Sequence, residues 1–183
     1  MNLIKPLTIL TFVLIALFTS CNKDKNNPET VSGPFVATID GQSFPATSTT
    51  LTKAKYVSST KMLQIIGQPA DQKEAIILSL FPFGSDFSGW NTGTYNFNPA
   101  NVTNLKYLLS AEYNRWEGQG YQQWFMKWEH VQTGELVIES ISDTKIKGRF
   151  HFDAVKMLSN GTFDPTSVKK VTAGAFDLDI VNY

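Results

Sequence analysis

Polar and apolar side chains alternate strictly between residues 145 and 154. One parity holds Ile146, Gly148, Phe150, Phe152 and Ala154, and the other holds Lys147, Arg149, His151 and Asp153. A period of two is the spacing of a β-strand that buries one face and leaves the other in water. The same alternation recurs near the C-terminus, where Phe176, Leu178 and Ile180 flank Asp177 and Asp179. The chain is therefore constrained to form half-buried strands.

Short β-rich runs occupy much of the remaining sequence. Phe35–Ile39 precedes Asp40-Gly41, a dipeptide typical of hairpin turns, and further runs cover residues 51–57, 62–67 and 75–81. No window carries a sustained helical period. The pattern predicts one all-β domain over residues 34–183, an antiparallel β-sandwich or a closed β-barrel, with a lipocalin-like barrel as the alternative.

The sequence also predicts the register of one hairpin. A four-residue loop at 117–120 would pair Tyr113 with Trp124, Ala111 with Met126 and Leu109 with Trp128, and all six would share one face. The next hairpin turns at 142–144. Its apolar residues change parity between Ile138 and Ile141, which predicts a bulge near Glu139.

The N-terminus has the organisation of an export signal. Lys5 precedes an apolar segment at residues 7–18, which is about the length of a signal-peptide core and shorter than the ~20 residues of a membrane-spanning helix. Small residues then lead to Cys21, the only cysteine. Residues 1–20 are predicted to be removed, and residues 21–33 to form a polar, flexible tether.

The residues before Cys21 resemble the lipobox of bacterial lipoproteins, whose cysteine thiol is alkylated with diacylglycerol before cleavage. Phe18 stands where that motif usually has leucine, as in the relaxed lipoboxes of the Bacteroidota. The resemblance implies lipidation of Cys21 and an outer-membrane location, on either the periplasmic or the outer face. An ordinary cleaved signal that leaves a free thiol is the alternative.

Three segments of the domain resemble a family of small Bacteroidota lipoproteins of unknown function. These are residues 35–44 with the Asp-Gly turn, residues 134–152 with Gly-x-Phe-x-Phe at 148–152, and residues 171–178 with Gly-x-Phe at 174–176. The resemblance implies the fold and the compartment. It supplies no catalytic residue.

Charge and cysteine content exclude several functions. Loss of the signal leaves 15 basic and 16 acidic residues, so no strong field would attract nucleic acid. With Cys21 lipidated, neither a disulfide nor a thiolate site is expected. We expect no cofactor and no metal.

Catalytic signatures are sparse. The alternative function is that of a hydrolase. Its catalytic residues would be either His151 with Asp153 or the carboxylate pair Asp177 and Asp179, which a strand would place about 6.8 Å apart. An i, i+2 acidic pair on a solvated strand gives the same spacing, so a domain without enzymatic activity is the favoured interpretation.

Aromatic clustering is the strongest candidate for function. Thirteen of the aromatic residues lie between positions 81 and 128. Tyr113, Trp124 and Trp128 are expected in the core, whereas Trp116 and Trp90 stand beside glycines, where turns would leave their rings exposed. The candidate binding residues are therefore Trp90, Trp116, Tyr121 and Phe87.

These observations favour a membrane-anchored, non-catalytic binding domain with a glycan or a protein as partner. A lipocalin-like carrier of a small apolar ligand is the second hypothesis, and it predicts a cavity lined by the clustered aromatics.

Overall fold

The computed structural model describes residues 33–84, 87–97, 106–127, 129–131 and 134–183. The signal segment, Cys21, most of the tether and Trp128 lie outside these residues. No helix in the described part of the chain is long and apolar enough to cross a membrane. The strands are β1 (Phe35–Ile39), β2 (Gln42–Pro45), β3 (Lys53–Val57), β4 (Met62–Gly67), β5 (Glu74–Pro82), β6 (Gly93–Asn96), β7 (Tyr107–Trp116), β8 (Tyr121–Phe125), β9 (Gly134–Ile141), β10 (Lys145–Met157) and β11 (Phe163–Asn182).

The eleven strands form a single sheet that closes on itself. Seven of them pair in a ring, in the order β11, β3, β4, β5, β7, β8, β10 and back to β11. The β1–β2 hairpin extends the sheet from β11, and β9 with β6 extends it from β10. The prediction of an all-β fold of the sandwich or barrel type is confirmed. The outermost strands of the sheet are β2 and β6.

One strand pairing differs from the antiparallel prediction. β3 runs parallel to the end of β11, with Ile180 opposite Ala54. The same edge of β11 pairs with β1 at residues 171–176 and continues past Phe35, the first residue of β1. β3 pairs with the part of this edge that remains, after the seven-residue connection 46–52 from β2.

β10 shows the alternation that the sequence predicts. Its even-numbered residues from 146 to 154 are buried, and Lys147, Arg149 and His151 are exposed. In the neighbouring strand β11, Phe176 and Leu178 are likewise buried, and Asp177 and Asp179 are exposed. Each of these strands therefore has one face in water and one buried face. The buried faces line the core inside the ring.

The two Gly-x-Phe segments pack against each other across β10 and β11. Gly148 lies opposite Phe176, and Phe150 lies opposite Gly174. Each phenyl ring therefore covers the glycine of the other strand, and both rings are buried. A side chain on either glycine would occupy the space of the ring, so the motif is a packing device of the core.

Both hairpin predictions are confirmed where the structure describes them. Tyr113 pairs with Trp124, and the amide of Met126 donates to the carbonyl of Ala111 over 2.9 Å. Trp128, the partner expected for Leu109, lies outside the described residues. In the following hairpin Lys147 pairs with Ser140 and Gly148 pairs with Ile138, so Glu139 is the extra residue of a bulge.

A second bulge lies in the middle of β11. The register with β1 and the register with β10 both shift at this point, and Ala173 has φ of 50°. A residue with a Cβ in this left-handed region costs roughly 1–2 kcal/mol relative to its usual conformations. The bulge therefore stores strain at a position where glycine would have none.

Ala173→Gly is expected to raise the free energy of unfolding by about 0.5–1 kcal/mol, because relief of the left-handed strain exceeds the added entropy of glycine in the unfolded chain. Ala175→Gly, two residues away in regular strand, is the matched control and should lower it by about 0.5–1 kcal/mol. Urea denaturation measures both. A loss of stability in both variants would contradict the assignment of strain to Ala173.

Candidate functional site

Trp116 and Tyr121 form an exposed aromatic pair, which we call the aromatic tip, at the end of the β7–β8 hairpin. They are directly opposite across the hairpin, with ring centroids 5.2 Å apart in an edge-to-face arrangement. Trp116 is 42% exposed and Tyr121 is 49% exposed. The structure thus brings these two predicted binding residues together on the surface.

The aromatic tip is held to the segment that leads into β5. The hydroxyl of Tyr121 donates to the carbonyl of Gln72 over 2.8 Å, and the amide of Trp116 donates to the carbonyl of Lys73 over 2.6 Å. The rings also brace each other through their edge-to-face contact. Their positions are consequently fixed before any partner arrives.

A polar pocket of about 200 Å³ lies at the same end of β7 as the aromatic tip, on the opposite face of the strand, since Arg115 lines it and Trp116 is the next residue. Glu74, which follows Gln72 and Lys73, lines it together with Tyr113 and Arg115. Tyr113 donates from its hydroxyl to Glu74 Oε1 over 2.8 Å, and Arg115 Nε lies 3.9 Å from the same oxygen. The backbone of residues 72–74 therefore joins the aromatic tip to the pocket.

The other side of the polar pocket carries a second ion pair. Lys169 Nζ donates to Asp40 Oδ2 over 2.6 Å, and Asp40 Oδ1 accepts from the backbone amide of Lys170 over 2.9 Å. Gln42, Ser43 and Phe44 complete this wall with Ile39. Each cation of the pocket thus faces a carboxylate.

The hydrogen bonds and burial in the polar pocket shift the pKa values of two side chains, Tyr113 and Asp40. Burial, reinforced by the hydrogen bond to Glu74, raises the pKa of Tyr113, so its hydroxyl stays protonated as a donor. Burial would raise the pKa of Asp40, but the hydrogen bonds from Lys169 and from the Lys170 amide outweigh it and lower the pKa. The Asp40 carboxylate therefore contributes stability above the ordinary aspartate pKa, and loses it as the pH falls through the lowered value.

Tyr113, which lines the polar pocket, packs against Trp124 with the two rings tilted. Tyr113 and Trp124 are buried, with centroids 5.5 Å apart, which confirms that they belong to the core. Lys169 Nζ and Lys156 Nζ each lie 5.7 Å from the Trp124 ring centroid. Trp124 Nε1 is buried and has no hydrogen-bond partner among the described residues.

Trp90 is buried, and the expectation of an exposed ring is wrong. It is 8% exposed, and its Nε1 donates to the carbonyl of Lys61 over 2.9 Å. Phe87, which is half-buried, packs on it with centroids 4.5 Å apart, and Tyr95 packs on another side at 5.8 Å. The turn between β3 and β4 supplies a partner for the indole N–H, so the glycines beside Trp90 do not expose it.

Trp90 instead lines a second and larger pocket of about 380 Å³, which we call the Trp90 pocket. Trp90 lies beside Tyr107 at the start of β7, whereas Trp116 ends that strand. The two pockets are therefore near opposite ends of β7. The Trp90 pocket is lined by Tyr56, Leu63, Gly89, Trp90, Ile141, Ser142, Asp143, Ile180 and Asn182.

The residues of the hydrolase alternative lie on the wet faces of β10 and β11. Lys145 Nζ lies 3.8 Å from Asp177 and 4.0 Å from Asp179, so the two carboxylates share one surface lysine. His151 is exposed. Within the described ranges no three His, Cys, Asp or Glu side chains converge as ligands of a metal would.

The sequence pattern does not identify Glu74, Arg115 and Lys169 as site residues. Glu74 and Arg115 come from the neighbouring strands β5 and β7, whereas Lys169 on β11 joins them only because the ring closes. The sequence predicts only a turn role for Asp40 and only a core role for Tyr113. The one local signal is the opposite charge of Glu74 and Arg115, which β5 and β7 place directly opposite each other.

Comparison with family models, with curated proteins and with solved structures finds no match to this chain.

Proposed function

We propose that this protein is a bacterial envelope lipoprotein, anchored through a lipidated Cys21, whose β domain binds a partner and performs no catalysis. The export signal, the single cysteine after small residues and the polar tether support the anchor. The outer membrane is the compartment we propose. Membership of the Bacteroidota lipoprotein family belongs to the same proposal, and the packing of Gly148 and Gly174 under opposing phenyl rings supports it as a structural reason for the shared motif.

The observation that carries the binding function is the fixed, exposed aromatic tip. Trp and Tyr side chains supply much of the binding energy of protein interfaces when they are buried by a partner. Ordering a side chain during association costs roughly 0.5–1.5 kcal/mol, and the hydrogen bond of Tyr121 and the contact with Trp116 reduce this cost beforehand. The tip is therefore suited to contact a partner in its present conformation.

A second candidate function is carriage of a small apolar ligand in the Trp90 pocket. Leu63, Ile141 and Ile180 give this pocket an apolar lining beside the Trp90 ring, and its volume of about 380 Å³ falls within the range of small-molecule sites. Co-purification of a lipid, detected by mass spectrometry and lost in Leu63→Gln, would favour it. Equal recovery from both proteins would exclude this pocket as the carrier site.

Site-specific photo-crosslinking in living cells tests the binding proposal. A benzophenone amino acid in place of Tyr121 is expected to form a covalent adduct with the partner, because the side chain would be buried against it. Phe83 is the matched control, since it is 48% exposed and remote from the tip. Trp116→Ala should abolish the Tyr121 adduct by removing the bracing ring. No adduct at Tyr121, or equal adducts at both positions, would refute a site at the tip.

A further inference from the structure

We infer that the polar pocket binds one residue of a neutral sugar chain and that the aromatic tip contacts the next residue along that chain. This inference names the ligand class for the binding function proposed above and rests on it. The pocket and the tip lie at the same end of β7 on opposite faces of the strand, and both adjoin the segment 72–74, so a linear ligand would reach the tip by passing around the end of the strand.

The charges of the pocket favour a neutral ligand. Arg115 faces Glu74, and Lys169 is hydrogen-bonded to Asp40, so each cation is already compensated. The two acidic and two basic side chains of the pocket sum to zero charge, so they offer no net attraction to a charged ligand. A neutral ligand leaves both pairs in place.

The remaining hydrogen-bonding capacity suits hydroxyl groups. The contacts of Glu74 with Tyr113 and Arg115 both involve Oε1, so Oε2 is directed to neither of them. Arg115 reaches Glu74 through Nε, and its two terminal nitrogens carry four further N–H donors. An acceptor therefore lies beside several donors. A sugar hydroxyl is both a donor and an acceptor, so two neighbouring hydroxyls can bond to the carboxylate and the guanidinium together.

The size of the pocket limits how much of the ligand it holds. About 200 Å³ equals roughly seven water molecules at ~30 Å³ each, which suits one small polar ring. A longer ligand must continue outside, and the exposed rings of Trp116 and Tyr121 offer it a surface at the same end of β7. The apolar C–H face of a sugar ring packs against an aromatic side chain, while its hydroxyls remain in water.

The test is calorimetric titration of the mature chain carrying Cys21→Ser with maltohexaose, cellohexaose, xylohexaose and mannohexaose. We expect saturable binding of at least one of them, with an affinity that changes less than about twofold between ~50 mM and ~500 mM NaCl, because screening acts on charged ligands. Failure of all four sugars to bind at millimolar concentration would overturn the inference. So would an affinity that falls more than about tenfold with salt.

Matched variants assign the binding to the pocket. Glu74→Gln and Arg115→Gln should each weaken binding by about tenfold or more, because each removes groups that would bond to the ligand. The controls are Glu139→Gln and Arg149→Gln, an equivalent surface pair with Arg149 Nε 3.7 Å from Glu139 Oε1, and these should bind normally. Arg115 is half-exposed, so its variant is expected to fold even if Glu74→Gln does not.

The outcomes separate this inference from the proposed function. Loss of binding in Trp116→Ala together with normal binding in both pocket variants would overturn the pocket and leave the tip as the site. Loss of binding in the pocket variants, with normal binding in Trp116→Ala and no Tyr121 crosslink, would support the sugar pocket and overturn the role of the tip.

Discussion

Replacing Gly148 by alanine is expected to lower the free energy of unfolding by about 3 kcal/mol, at the upper end of the cost of overpacking a core. A Cβ at this position would collide with the backbone carbonyl of Val137 on β9 and would lie 2.7 Å from Cζ of the buried Phe176 ring. The phenyl ring is enclosed by the core, and the carbonyl belongs to the β9–β10 pairing. Neither neighbour can move without losing contacts elsewhere, so the strand must shift.

Gly174→Ala, the corresponding change in the other strand, is expected to lower the free energy of unfolding for the same reason. A Cβ on Gly174 would lie 2.6 Å from both the ring and the carbonyl oxygen of Phe150. Gly120→Ala is the matched control, because a Cβ there meets no atom within 4 Å. For a domain of this size a loss of 3 kcal/mol lowers Tm by about 6–12 °C, which thermal unfolding followed by circular dichroism resolves. A Gly148→Ala protein as stable as the Gly120→Ala control would show that the two phenyl rings do not need glycine beneath them.

Local periodicity accounts for what the sequence can predict about the fold. The alternation in β10 depends only on neighbours two residues apart, so the order of the residues is enough to reveal it. The bulge at Glu139 follows from the change of parity between Ile138 and Ile141, since both must face the core across one hairpin. The hairpin of β7 and β8 is predictable for the same reason, because a short loop and a common face leave one register.

Pairings and contacts between distant segments account for what the sequence cannot predict. The parallel contact of β3 with β11 joins residues more than a hundred positions apart and has no local signature. Burial of Trp90 depends on the carbonyl of Lys61, which lies in another hairpin, whereas its neighbouring glycines indicate only a turn. Lys169 and Glu74 line one pocket because the ring closes, and charge alone does not mark either residue.

The distance between the tether and the polar pocket affects how a membrane-anchored domain could reach its partner. Gly33, the first described residue, is exposed and lies just before β1. β1 ends at the Asp40–Gly41 turn, and Asp40 lines the polar pocket. One strand of five residues, about 17 Å long at ~3.4 Å per residue, therefore separates the end of the tether from the pocket. The polar tether would have to hold the polar pocket away from the bilayer for a long sugar chain to enter the pocket.

Replacing Cys21 by serine is expected to move the protein completely from the membrane fraction to the soluble fraction. Each buried methylene of an acyl chain contributes about 0.8 kcal/mol to membrane binding, and one myristoyl chain gives only reversible attachment. A diacylglyceryl cysteine carries two chains and should be stably attached. The serine hydroxyl cannot replace the thiol in the alkylation that precedes cleavage, so the variant is expressed behind a signal peptide that the general signal peptidase cleaves, and no retained apolar segment holds it at the membrane.

Fractionation and gel mobility measure this result together. Asn22→Gln is the matched control, because it changes the adjacent residue and leaves the thiol intact, and it should remain in the membrane pellet. Inhibition of lipoprotein signal peptidase should retard the wild-type and Asn22→Gln proteins on a gel and leave Cys21→Ser unchanged, since only a lipidated precursor is a substrate of that enzyme. A Cys21→Ser protein that still pellets with membranes after a carbonate wash would contradict the anchor.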